Sequence, residues 1–171
     1  MFRVLMRPLL ARAERELGGS VDWMRHVLNA SPRAFRRFLA FLWLAGYRRA
    51  APADAWHVAA LVATRGEDCG PCVQIALNLA RKDGVPREVL LAVLEGRHDD
   101  LPAPLADAAR FADAIVTRNG LEQAPRERLR ALYGDAAVVE LSFAVASARV
   151  FPTAKRGLGF ATSCALQPPR I

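Results

Sequence analysis

Along most of this chain apolar residues recur three and four positions apart, the spacing that gathers them on one face of a helix. Proline and glycine punctuate these stretches in the order helices use them, Pro in the first turn and Gly just past the end. The first stretch, Phe2 to Leu17, stops at Gly18-Gly19, and Ser20 is placed to cap a short helix carrying Val21, Met24, Val27 and Leu28. Ser31-Pro32 opens a third helix, which runs to Gly46 or shortly beyond. Pro52 opens a fourth, with Trp56, Ala59, Ala60 and Ala63 on one face and Gly66 as its stop. Asp68 stands where an N-cap would for the next, whose amphipathic body Val73 to Lys82 ends at Gly84. Then come Pro86 to Gly96, and Pro104 to about Gly120, where Leu105, Ala108, Ala109, Ala112, Ile115 and Val116 form an apolar face. Pro125 begins a helix with Leu129 and Leu132 inside and Gly134 as its end. Asp135 is set to cap a last long stretch through Val138, Leu141, Val145 and Ala148, which Pro152 is expected to kink or break.

Nowhere do β-branched residues alternate with polar ones over a useful length, so no strand is expected. The pattern describes an all-α chain of roughly nine helices. With 171 residues, it reads as a single domain, residues 1–171, able to bury a core without disulfide staples. Helices joined by such short loops lie against their neighbours, usually antiparallel, as in a helical bundle. Alanine at Ala59, Ala60, Ala63, Ala108, Ala109, Ala112, Ala144 and Ala148 lets helix axes approach closely but leaves little side-chain volume for a self-contained core. A homo-oligomer, dimer or trimer, is therefore expected.

Charge changes this picture little. The net charge is +7 and comes mostly from arginine, Lys82 and Lys155 being the only lysines. A basic balance can signal nucleic acid or a membrane surface, but here the arginines are interleaved with Asp and Glu as on solvated helix faces, so no nucleic-acid partner is expected. The densest clusters, Arg33/Arg36/Arg37 and Arg48/Arg49, bracket the apolar run Phe38 to Gly46 and offer the one route to an anionic membrane surface. That run is far short of the ~20 residues that span a bilayer. It reads as a core helix, and no transmembrane segment is expected. Three cysteines without a secretory signal pattern or an even disulfide framework point to a reducing, cytoplasmic setting.

Two of those cysteines carry the candidate chemistry. Cys69-Gly70-Pro71-Cys72 can close a small disulfide ring and cycle between oxidised and reduced forms. Its place at a helix start favours thiolate over thiol, since unpaired amides and the macrodipole there can bring a cysteine pKa from about 8.5 into the range of roughly 3.5–7.5. Glu67 and Asp68 oppose this by charge, so Glu67 suits proton transfer better than thiolate stabilisation. A zinc site is the competing reading, but it needs four ligands, and Cys164, His26, His57 and His98 are scattered. Inert buried cysteines are the third.

The thiol helix is followed by Gly84-Val-Pro-Arg-Glu88, Phe111-Ala-Asp-Ala-Ile115 and Leu132-Tyr-Gly-Asp-Ala-Ala-Val-Val-Glu-Leu141. In this order, from about Ser31 to Cys164, the chain resembles the alkylhydroperoxidase D and carboxymuconolactone decarboxylase superfamily, with residues 1–30 as additional N-terminal helices. The resemblance implies an oligomeric all-α bundle that reduces hydroperoxides through its thiol pair, with Cys72 attacking the peroxide and Cys69 resolving it. The helix-dipole argument favours the opposite order. Two positions depart from the family pattern: Ala76 stands where the peroxidases have a histidine, and His57 where they have a glutamate. Glu67 and His57 are then the local candidates for moving protons. Decarboxylase members generally lack the thiol pair, so that name is a family label here. The expected function is thiol-dependent reduction of small organic hydroperoxides, or disulfide exchange, with electrons from an external dithiol and no metal, flavin or nicotinamide cofactor. A non-catalytic helical module whose thiols sense redox state is the alternative.

Overall fold

A computed structural model describes residues 2–160, which contain nine α-helices, one 3-10 turn (His98–Asp100) and no strand. The helices are α1 (Phe2–Leu17), α2 (Asp22–Ala30), α3 (Pro32–Ala45), α4 (Ala53–Arg65), α5 (Gly70–Lys82), α6 (Arg87–Glu95), α7 (Ala103–Thr117), α8 (Gln123–Tyr133) and α9 (Asp135–Gly157). Cys164 lies outside the described residues.

The centre is α4, buried from Ala55 through Thr64 apart from the half-buried Trp56. A helix that is apolar all round must be enclosed, and α9, α7, α5 and α6 enclose it. Its alanines are what let four helices approach one: Ala55, Ala59 and Ala63 are completely inaccessible to solvent. Gly66, just past its end, serves the same purpose, since a Cβ there would meet Val116 Cγ1 of α7 at 2.5 Å. A second, smaller cluster of Leu10, Val21, Leu28 and Phe35 joins α1, α2 and α3. This N-terminal layer meets the main core where α3 packs on α9 and α1 on α5.

Proline and glycine mark most helix limits as read from the sequence, and the departures are local. Val21 and not Ser20 is the N-cap of α2, although the Ser20 hydroxyl accepts from the Asp22 N–H at 3.1 Å. Gly134 caps α9, leaving Asp135 inside its first turn, where the carboxylate faces the positive end of the helix dipole. Leu132 is 57% exposed, because α8 is short and buries only the Pro125–Leu129 edge. Pro152 does not end α9. Its ring is fully buried, so packing offsets the ~3 kcal/mol such a residue costs inside a helix. The run Phe38 to Gly46 is core on one side only: Trp43 is 84% exposed and Leu44 is exposed beside it. By length and composition α9 is a candidate membrane span, but 44% of its apolar stretch is buried inside the fold, as in a core helix.

The link from α3 to α4 is held by one carboxylate. Glu140 of α9, 3% exposed, accepts from the backbone N–H groups of Arg49 (2.9 Å), Ala50 (2.9 Å) and Ala51 (2.8 Å). Burial works against its charge, but the amides of Ala51, Arg49 and Ala50 outweigh it and hold the carboxyl group below its usual range. A depressed carboxyl pKa stabilises the fold above the unfolded-state value, and that contribution is lost as pH falls through the folded one. Replacement by alanine should cost about 3 kcal/mol, the scale of a charged acceptor removed from buried donors. Urea unfolding at pH 7 measures it. An unchanged midpoint in Glu140→Ala would show that the link is held elsewhere, and the variant should also lose less stability than wild type on going to acid.

Candidate functional site

The thiols sit where the chain turns off α4 and re-enters as α5. Glu67 and Asp68 N–H groups donate back to Thr64 and Arg65 carbonyls, both at 3.2 Å, so the turn tightens as it leaves the helix. Asp68 then takes a left-handed φ of 50°, a conformation that Asp tolerates better than most residues. That orientation makes Cys69, not Asp68, the N-cap of α5, followed by Gly70, Pro71 and Cys72 in its first turn. The Cys69 carbonyl accepts from the Cys72 and Val73 N–H groups, both at 2.9 Å. Cys69 and Cys72 form a disulfide with Cα atoms 5.2 Å apart. Both are buried, at 3% and 7% exposure.

Glu67 lies next to the pair in sequence but faces elsewhere. Its carboxylate accepts from Arg149 Nε at 2.5 Å, and its carbonyl from Arg156 Nη2 at 2.8 Å. Two arginines of α9 thus clamp the turn from outside. The Glu67 carboxylate, held in this pair, is not among the groups around the cavity onto which Cys72 opens.

That cavity, ≈ 590 Å³, lies between the N-terminal layer and the core, walled by α1, α2, α3, α4, α5 and α9. Leu9, Leu10, Met24, Phe38, Leu42 and Phe151 typify its lining. Cys72, His57, Thr64, Ser147 and Lys155 also face it. Lys155, 6% exposed, places Nζ 3.6 Å from Cys72 Sγ. Ala76 is part of the same wall. So Cys72 and His57 share one cavity, Cys69 stands behind Cys72, and a lysine not singled out from sequence lies 3.6 Å from the sulfur. One signal was there to be read: in a chain whose cations are almost all arginine, a lysine within the apolar stretch Val150-Phe-Pro-Thr-Ala-Lys155 is an exception.

His57 reaches the cavity because α4 packs against α5. Its Nε2 lies 2.9 Å from Asp83 Oδ2 at the far end of α5. Arg48 also donates to that carboxylate, at 3.2 Å. Burial pushes the imidazole pKa down, and Asp83 only partly restores it. A neutral ring must donate Nε2–H here, since the carboxylate can only accept. His57 therefore stays neutral near pH 7 and serves first as a bridge between α4 and α5. Among the described residues no group of three or more His, Cys, Asp or Glu side chains could hold a metal ion.

Neither a family model nor a curated protein nor a solved structure matches this chain.

The depressed histidine fixes the sign of an acid response. Its contribution to stability is complete above the unfolded-state pKa of about 6.5 and is lost as pH falls through the lower folded value. Urea midpoints should thus drop between pH 7 and pH 5, and drop less in His57→Gln. Equal drops in the two proteins would mean that another group carries the response.

Proposed function

We propose that the chain is a thiol oxidoreductase in which Cys72 reacts with an organic hydroperoxide and Cys69 resolves it. The observation that carries this reading is a disulfide at a helix start with one sulfur turned to a ligand-sized cavity and held beside a buried ammonium. Lys155 favours the Cys72 thiolate in the reduced protein, as cationic neighbours do for reactive cysteines. The thiolate attacks the terminal peroxide oxygen, the O–O bond breaks, and the departing alkoxide takes a proton from Lys155 and leaves as an alcohol. Cys72 is then a sulfenic acid. The Cys69 thiol attacks that sulfur, a disulfide forms and water leaves. An external dithiol restores both thiols by exchange and becomes the oxidised partner.

This assigns to Lys155 the proton-transfer role that the family resemblance gives to a histidine absent here. The membership itself is part of the proposal, supported by the order of segments and the all-α architecture. Glu67 becomes a positioning residue that keeps the turn on α9. A disulfide that only staples the start of α5 or senses redox state would share this geometry, and turnover separates the readings. The expected homo-oligomer also belongs to the proposal, supported by the exposed Trp43 and Leu44 of α3, Tyr47 just past its end, and Val139, Phe143 and Val150 of α9.

Stopped-flow oxidation of the reduced protein by cumene hydroperoxide is the test. Cys72→Ser should abolish the reaction. Lys155→Met should slow it at least tenfold, a floor set below the roughly 10²–10⁴-fold span of acid–base groups because water substitutes in part. Glu67→Gln should leave it within about twofold, small beside that span. A wild-type rate in Lys155→Met would remove the lysine from the mechanism. No turnover with any hydroperoxide would leave the staple reading. Sedimentation at micromolar concentration should give more than the 18.7 kDa of one chain, and a monomer would reject the oligomer.

A further inference from the structure

The cavity holds more than the sulfur chemistry requires. Attack on a peroxide oxygen needs access to one atom, yet six helices wall a space of ≈ 590 Å³, within the roughly 300–1,000 Å³ of sites that enclose whole ligands. Its walls are also unequal. Leu9, Leu10 and Met24 on α1 and α2, with Phe38 and Leu42 on α3, give an apolar side, and on α9 Lys155 stands beside Cys72. Two of the polar lining groups are bound within the protein: the Thr64 hydroxyl donates to the Ala60 carbonyl at 2.8 Å, and His57 bonds Asp83. Lys155 is the one Lys or Arg among the described lining residues. An apolar space with a single lysine at one wall selects a ligand with an apolar body and one acceptor-rich anionic head.

We propose that this cavity binds a single-chain amphiphile, a long alkyl chain ending in a carboxylate, with the chain among α1, α2 and α3 and the head at Lys155. The site is distinct in requirement from the thiol reaction: it needs no electron transfer, and it persists when Cys72 cannot react. Its failure and the failure of the hydroperoxide reading are therefore separable.

The probe is cis-parinaric acid, a fluorescent eighteen-carbon carboxylate, titrated into the full-length oxidised protein. Saturable binding of one molecule per chain is expected. It should weaken at least tenfold in Ala148→Phe and in Ala76→Leu, which place bulk in the cavity walls, once circular dichroism shows both folded. It should survive in Cys72→Ser. Lys155→Met should weaken displacement by dodecanoate about tenfold, the scale of one charge-assisted hydrogen bond, and leave displacement by dodecanol within twofold. Unsaturable adsorption, or equal affinity in wild type and both filled variants, would overturn the proposal. So would exclusion of the probe by self-association of the chain, which would make a second copy the occupant. Equal loss for dodecanoate and dodecanol in Lys155→Met would overturn the assignment of the head to Lys155.

Discussion

Enclosure of α4 by four neighbouring helices is the constraint from which the rest of this structure follows. Four helices can close on a fifth only if its side chains are small, which is why Ala55, Ala59 and Ala63 recur along it. Once α4 is central, its ends become the places where the chain must turn sharply into and out of the core. The link at its N-terminal end is tied by Glu140. The turn at the other end carries the thiols.

Both ends are secured by charge, with different physics. Glu140 is buried and satisfied by backbone donors, the arrangement in which a carboxylate contributes most. The Glu67–Arg149 pair is only partly buried, its side chains being 10% and 30% exposed. With the Arg156 bond to the Glu67 carbonyl, it fastens the turn to α9. Lys155 lies between Arg149 and Arg156 along α9, so one helix supplies the outer clamp and the inner ammonium on adjacent faces.

Most of the architecture was legible because its signals are local. Ser31-Pro32 caps α3 with its own hydroxyl, and Pro86 and Gly96 bound α6 by dihedral preferences that need no neighbours. Tertiary contacts decided the rest. Glu67 reads as an acid–base group when only its nearness to Cys69 is considered, but its partner lies 82 residues away. Lys155 is 83 residues from Cys72 and carries no motif. The exposure of Trp43 was hidden for the opposite reason, because an uninterrupted apolar run looks like a core helix whichever side faces in. The cysteine pair was legible from its spacing and His57 came only from the resemblance, and the cavity that both face depends on how two layers meet.

The attachment of α1 has an energetic consequence. Leu10 is the only buried residue in its sixteen, and its C-terminal carbonyl at Leu17 is held by the Asn78 amide of α5 at 2.9 Å. Gly18 leaves room for that bond, since a Cβ there would come within 2.6 Å of the Asn78 nitrogen. Regions with few buried contacts open at a fraction of the global unfolding free energy. The outer wall of the cavity is therefore the part of the fold that detaches at least cost, while α4 and the thiol turn remain folded.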